Sequence, residues 1–206
     1  MTILMHPTYF PSIAHVVAMV KAKELVFEVC DNYQKQTYRN RATIYGANGR
    51  LNLNTPVHYS QKNRQLYKEV EISNIDNWQD QHLKSLESAY SASPFFEYYI
   101  DDLKPLFEAE ANNLMDFNFK SLEFVFECLQ HPLEYLKTET FEKSPEKVMD
   151  ARTLVNCRKE IHQDFTTYDQ VFDDKHGFLQ NLSILDLLFN EGPNSLTYLE
   201  SQTLHI

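Results

Sequence analysis

Glycine is nearly missing from this chain, with four residues in 206. That scarcity leaves no room for the glycine-rich loops that wrap phosphates, and neither a G-x-G-x-x-G nor a P-loop pattern occurs. Disordered or low-complexity character is excluded by the aromatics, since 14 Phe and 12 Tyr supply more packing surface than such chains carry. Cysteine is scarce too: Cys30, Cys128 and Cys157 are odd in number and widely spaced, so free thiols are expected. The apolar start from Ile3 to Met5 is too short for a signal peptide and no basic region precedes it, which predicts a cytoplasmic protein. No apolar run reaches the length of a membrane span. The eight histidines show no metal-ligand spacing with one another or with cysteine, so neither a metal nor another cofactor is expected.

Cations are outnumbered, 19 against 29 acids, for a formal net charge of −10. Non-specific binding to duplex nucleic acid, which depends on displacing counterions from many phosphates, is therefore excluded. One stretch reverses the balance. From Asn32 to Lys68 there is no acid at all, while Lys35, Arg39, Arg41, Arg50, Lys62, Arg64 and Lys68 bring seven cations. A basic island in an acidic protein favours an anionic ligand through its local field, and arginine offers a fork matched to phosphate or carboxylate. The competing reading is an island packed against an acidic face of the same molecule.

Read in order, Ile3 to Met5 is a short buried strand stopped at His6-Pro7, because proline cannot donate to a ladder. Ile13 to Lys21 is apolar around most of its circumference and predicts a buried helix, and Leu25 to Val29 predicts the next strand. Strand, helix and strand in this spacing make a βαβ unit with parallel strands, whose loops His6–Pro11 and Asn32–Arg41 fall at one sheet edge. Ala42 and Ile44 then face Leu51, Leu53, Thr55 and Val57 across a hairpin turned at Asn48-Gly49, and Val70 with Ile72 adds a strand.

Beyond about Asp76 helices take over. Trp78, His82, Leu86 and Ala89 form the inner stripe of the first, with Asn74 or Asp76 as its cap. Ser93-Pro94 is expected to start the second, with Phe95, Tyr99, Leu103 and Leu106 inward. The third spans roughly Asn113 to Gln130, with Leu122, Phe126 and Leu129 inward. Thr138 to Lys147 reads as a mobile charged loop, and Ser183 with Asp186 caps a final apolar helix stopped by Gly192-Pro193. The whole predicts a single α/β domain over residues 1–206: a small βαβ sheet with a hairpin in 1–75, then a mainly helical part in 76–206.

The loop reading NYQKQTYRNR carries more donors and aromatic faces than a solvated turn requires. Asn32, Gln34, Lys35, Tyr38, Arg39, Asn40 and Arg41 are therefore candidate substrate-binding residues, with Asn40 facing away from the two arginines to brace the loop. His6, at the mouth of the first βα turn, and His82, on the helix beside the basic loop, are the candidate catalytic groups. For His82 the alternative is a buried histidine satisfied by hydrogen bonding.

Several stretches together resemble the WbqC-like family of bacterial proteins, some of them encoded among O-antigen and surface-polysaccharide genes. The matching residues are the turn Tyr9-Phe10-Pro11, the NYQKQTYRNR block, the hairpin ending at Thr55-Pro56-Val57, and Trp78 with His82-Leu83-Lys84-Ser85 and Tyr90. Near the end come Tyr168, Gln170, Val171, Phe172, Gly177-Phe178 and the run NLSILDLLFNEGP from Asn181 to Pro193. The chain departs from the family at His6, where members commonly carry glutamine or a small polar residue, and at His15-Val16, where an aromatic pair is common. The resemblance adds Tyr9, Arg152, Tyr168, Gln170 and Asn181 to the candidate substrate-binding residues, with helix capping as the alternative for Asn181. It implies a transferase of surface-glycan assembly acting on an anionic or sugar substrate, with aminoacyl or acyl transfer as one reaction. The alternative from another class is a non-catalytic scaffold that binds an anionic glycan precursor or a partner protein.

Overall fold

The computed structural model describes residues 1–59 and 64–206. Lys62 of the basic island lies outside the described residues. Strand β1 (Thr2–Met5) and strand β2 (Glu24–Phe27) are parallel neighbours, in register from Thr2 opposite Glu24 to Met5 opposite Phe27. Between them runs helix α1 (Ile13–Lys21), buried from Ile13 through Met19, as its apolar circumference requires. The βαβ unit is thus present as expected.

After β2 the chain makes the basic loop and enters the hairpin of β3 (Arg41–Gly46) and β4 (Gly49–Asn54). Its two-residue loop is Ala47-Asn48, and the left-handed angle falls on Gly49 (φ +96°) at the start of β4. Val57 does not extend the hairpin: β5 (Val57–His58) pairs antiparallel with β6 (Glu71–Ile72).

Three helices follow: α2 (Trp78–Tyr90), α3 (Phe96–Glu108) and α4 (Leu114–Cys128). The expected cap of α2 is absent. Asn74 instead accepts from the Trp78 indole at 3.3 Å and donates to the Ala111 carbonyl, and neither it nor Asp76 caps the helix with its side chain. Helix α3 starts later than Ser93-Pro94, because the Ser93 hydroxyl turns back to the Tyr90 carbonyl. Its buried face is accordingly Phe96, Ile100, Leu103 and Phe107. Asn113 caps α4 by accepting from the Asp116 amide at 3.1 Å.

The second half also returns to the sheet. Strand β7 (Leu136–Lys137) pairs parallel with β2, and β8 (Met149–Asp150) pairs parallel with β1, giving a four-stranded parallel sheet of order β7-β2-β1-β8. The segment expected to be a mobile loop is the β7–β8 connection, anchored at Thr138 by the Glu28 carboxylate. The chain closes with α5 (Asp173–His176), α6 (Ile184–Glu191) and α7 (Ser195–Ser201), the last two packed against α1.

Candidate functional site at the carboxyl edge of the sheet

In open parallel sheets ligands bind beyond the carboxyl ends of the strands, where backbone polar groups are no longer consumed by the ladder. Here β1 runs out into His6, β2 into Glu28 and Asp31, β7 into Thr138, and β8 into Arg152. The ladder amides just past each strand still pair, Glu28 to Met5 at 2.8 Å and Ala151 to Leu4 at 2.8 Å, which fixes these side chains at one edge.

His6, Asp31 and Arg39 meet there in a tight triangle. His6 Nε2 lies 2.9 Å from Asp31 Oδ2 and 2.8 Å from an Arg39 terminal nitrogen, which itself donates to Asp31 Oδ2 at 3.1 Å. Nε2 can donate to the carboxylate or accept from the guanidinium, not both. In either case Nδ1 is the nitrogen left over, and it is buried without a partner among the described residues. Burial, helped by the Arg39 charge, pushes His6 down to about 4, so the ring is neutral at pH 7. Burial works against ionisation of Asp31, but the His6 hydrogen bond and the nearby charges outweigh it and hold its carboxyl below the usual range. The acid that answers Arg39 is thus the residue immediately before the acid-free stretch.

Arg152 makes a two-pronged pair with Asp150, at 2.8 and 2.7 Å, donates to the Glu142 and Lys143 carbonyls, and lies 3.6 Å from Glu28 Oε2. Glu28 is buried, its other oxygen taken by the Cys30 amide and the Thr138 hydroxyl. Around Arg39, the Tyr67 ring lies 5.4 Å from the guanidinium carbon, and Asn118 donates to both the Arg39 carbonyl and the Tyr67 hydroxyl. Glu28, Asp31, Tyr67 and Asn118 escaped the sequence reading. Asp31 alone had a local signal, its place directly after the second strand.

The remaining candidates divide. Asn40 donates to the Thr55 carbonyl at 3.0 Å and accepts from the Thr55 amide, bracing the loop against the hairpin. Arg41 is half-buried, and its Nε has no partner among the described residues. Lys35 sits 4.8 Å over the Tyr59 ring, Gln34 is exposed, and the Asn32 amide donates to Asp31. The loops His6–Pro11 and Asn32–Arg41 adjoin, tied by the Tyr9 amide donating to the Tyr38 carbonyl at 3.0 Å.

Other candidates make hydrogen bonds of their own within the protein. The Tyr38 hydroxyl donates to Glu160 at 2.6 Å. The Tyr9 hydroxyl and His82 Nδ1 lie 2.8 Å apart among Trp78, Phe107 and Phe117, and burial pushes His82 down to about 4. Tyr168 and Gln170 both donate to the fully buried Asp186, at 2.5 and 2.9 Å, joined by the Tyr90 hydroxyl at 2.8 Å. Ser183 does cap α6, but Asp186 does not answer it in a capping box, because its oxygens are spent on these three donors.

Asn181, in a left-handed conformation (φ +52°), accepts from the Ala14 amide at 2.8 Å and donates to Glu160. Together with the Leu182 carbonyl, which accepts from Ile13, it consumes the first free amides of α1. An anion at that helix N-terminus, with His6 donating to it, is therefore not an available arrangement at those two amides. The three cysteines are unpaired. Among the described residues no three His, Cys, Asp or Glu side chains are grouped to hold a metal ion, and no helix is long and apolar enough to cross a membrane.

An open groove of about 440 Å³ lies at the opposite, amino edge of the sheet, lined by residues including Met19, Leu25, Phe126, His131 and Leu136. Its charged lining residues Lys23, Glu24 and Glu134 make no ion pair among the described residues, whereas those at the carboxyl edge are linked to one another, so the chemistry points to the latter.

The fold and site define an α/β protein whose polar and ionisable side chains gather where parallel strands end. The sequence model of the WbqC-like protein family matches residues 6–166, and the chain belongs to that family. The match begins at His6 and includes Asp31, Arg39, Arg41 and Arg152, and it stops short of Tyr168, Gln170 and Asn181. The chain is also similar to the uncharacterized protein Rv1507c of Mycobacterium tuberculosis, 29% identical over 193 residues, covering 81% of this chain and 83% of that protein. No solved structure matches it.

Proposed function

We propose that this chain is an enzyme of surface-glycan assembly that binds a phosphorylated or carboxylated substrate at the carboxyl edge of its sheet, with acyl or aminoacyl transfer to a sugar hydroxyl as the reaction. The observation that carries the reading is the convergence of His6, Asp31 and Arg152 from three parallel strands, closed by Arg39 from the basic loop. The glycan context comes from the family resemblance.

In this reading His6 acts as a neutral hydrogen-bonding group. A ring held near 4 is a weak base at pH 7, and Nδ1 serves better to orient the acceptor hydroxyl than to take its proton outright. That role also accommodates the glutamine common at this position in the family, since a carboxamide supplies a neutral donor and acceptor of similar reach. Magnitudes separate the two roles. Loss of one orienting hydrogen bond costs about 1 kcal/mol, roughly fivefold, whereas loss of a general base costs about a hundredfold or more.

The test is incubation of the purified protein with nucleotide sugars and acyl or aminoacyl donors, followed by mass spectrometry. Turnover that His6→Gln largely retains and His6→Ala lowers about fivefold supports the reading. Absence of turnover with every donor class sinks it. A non-catalytic scaffold for an anionic glycan precursor or partner protein is the second reading. It is favoured by the pairing of Arg39 and Arg152 with carboxylates of the chain itself. A scaffold binds the anion in the same mixtures and releases it unchanged.

A further inference from the structure

Beside the His6 triangle the basic loop holds hydrogen-bond donors that the fold buries and that meet no acceptor among the described residues. The Tyr33 hydroxyl, Arg39 Nε and Arg41 Nε are each out of contact with solvent and have no partner among the described residues. An unpaired buried donor costs a folded protein about 1–3 kcal/mol, more when it is charged, so each of the three calls for an acceptor. They share a neighbourhood. The Tyr33 ring lies 5.1 Å from that of Tyr59 and 6.1 Å from that of Tyr67, and Arg39 lies 5.4 Å from the Tyr67 ring centre. Both arginine charges also act on the Tyr33 phenol, partly offsetting the burial that pushes it up to about 12. At pH 7 that phenol keeps its proton and is a donor.

The balance of charge adds to the balance of hydrogen bonds. Asp31 neutralises Arg39, whereas Arg41 faces no carboxylate within ion-pair distance among the described residues, and Lys35 stands over Tyr59 nearby. What Arg41 lacks among the described residues is an acceptor that is negatively charged and has several lone pairs. Water would satisfy the donors but would leave Arg41 unneutralised in a half-buried place.

We infer that the Tyr33 hydroxyl, Arg41 Nε and Arg39 Nε together receive one oxyanion, a phosphoryl or carboxylate group of the ligand. Arg41 provides the charge, and Tyr33 and Arg39 complete the hydrogen bonding. This rests on the anionic-substrate reading above and names the group and atoms that recognise it. Tyr33 is a residue that neither the sequence reading nor the family comparison singles out.

The experiment is a titration of the full chain with inorganic phosphate, acetate, a hexose 1-phosphate and a hexuronate. Binding is followed through the ring resonances of ¹³C-tyrosine-labelled protein and by calorimetry. The Tyr33 signal shifts on addition of phosphate or acetate while that of exposed Tyr98 stays put. Tyr33→Phe, which keeps the ring, weakens binding about fivefold to tenfold, and Arg41→Lys, which keeps the charge and loses the planar donor, about tenfold. Lys68→Gln, an exposed cation of the same island, leaves it unchanged. Tighter binding of the hexose 1-phosphate than of the hexuronate assigns the group as phosphoryl, and the reverse order assigns it as carboxylate. A wild-type Tyr33 signal unmoved by all four anions overturns the inference, as does equal affinity in Tyr33→Phe, Arg41→Lys and wild type. Anion binding without turnover of any donor sinks the enzyme reading and leaves the oxyanion site standing, while turnover with an indifferent Tyr33 does the opposite.

Discussion

At the scale of residues, His6, His15 and His82 are 3%, 1% and 6% exposed, and burial holds them near 4, 3 and 4. Each is neutral in the folded chain at a pH where the unfolded chain would protonate it. Below the ordinary histidine value of 6.5 the unfolded state therefore binds more protons, and stability falls as the pH falls from 6.5 towards 4. Each histidine contributes at most about 1.4 kcal/mol per pH unit in that window, so the three together remove roughly 3 kcal/mol between pH 6 and pH 5. Asp186 works the other way, since burial raises its carboxyl and protonation costs the folded state less. One raised carboxyl does not offset three depressed histidines. Urea midpoints are expected to drop steeply between pH 6 and 5 and to be level above pH 7, and a flat profile across the acid range would refute the neutral, buried histidines. Asp186 allows a second prediction. Asp186→Asn keeps the shape but replaces one acceptor oxygen with an NH2 donor, so a donor that Asp186 now satisfies loses its acceptor in the core. The expected loss is about 1–3 kcal/mol in thermal unfolding, and an unchanged midpoint would mean that the network holds nothing together.

At the scale of elements, the amino end of α1 depends on a residue far away in sequence, Asn181, whose side chain takes the Ala14 amide. Asn181→Ala is expected to cost about 1 kcal/mol, up to about 2, read from chemical denaturation. No loss would show the cap to be redundant with the Leu182 carbonyl on Ile13. Gly192 is stricter. It has φ +52°, and a methyl group there would meet the Phe95 ring at 2.5 Å, so Gly192→Ala displaces either α6 or the start of α3. The elements legible in the sequence were those whose signal is local: the apolar circumference of α1, the alternation of β3, the stripe of α2 and the apolar face of α4. The two-residue strands β7 and β8 were not legible, because Leu136-Lys137 and Met149-Asp150 have no pattern of their own and become strands only by pairing with β2 and β1. The buried face of α3 was misjudged by one residue, since Ser93 closes the preceding turn instead of starting the helix. For the site the limit was similar. His6 and Arg39 were visible by residue type, but Arg39's pairing with Asp31 is a contact across a folded loop, and no spacing announces it.

At the scale of the whole molecule, the sheet is completed only when strands from the second half dock on both sides of β1 and β2. The candidate site therefore depends on residues separated by more than a hundred positions, His6 and Arg152 among them. We expect residues 1–206 to unfold as one unit, with Trp78 fluorescence and far-ultraviolet dichroism following the same transition. Two separated transitions would show that the 1–75 part and the helical part are independent. On the proposed function the ligand binds at the carboxyl edge of the sheet, and not in the groove of about 440 Å³ at the amino edge. The most direct measurement is a ¹⁵N spectrum of histidine-labelled protein titrated with the sugar phosphates and uronates of the turnover screen. His6 marks one edge and His131 the other. With the ligand at the carboxyl edge, the His6 ring nitrogens shift with saturation while those of His131 do not. A shift confined to His131 would move the site to the opposite edge and overturn the placement at His6.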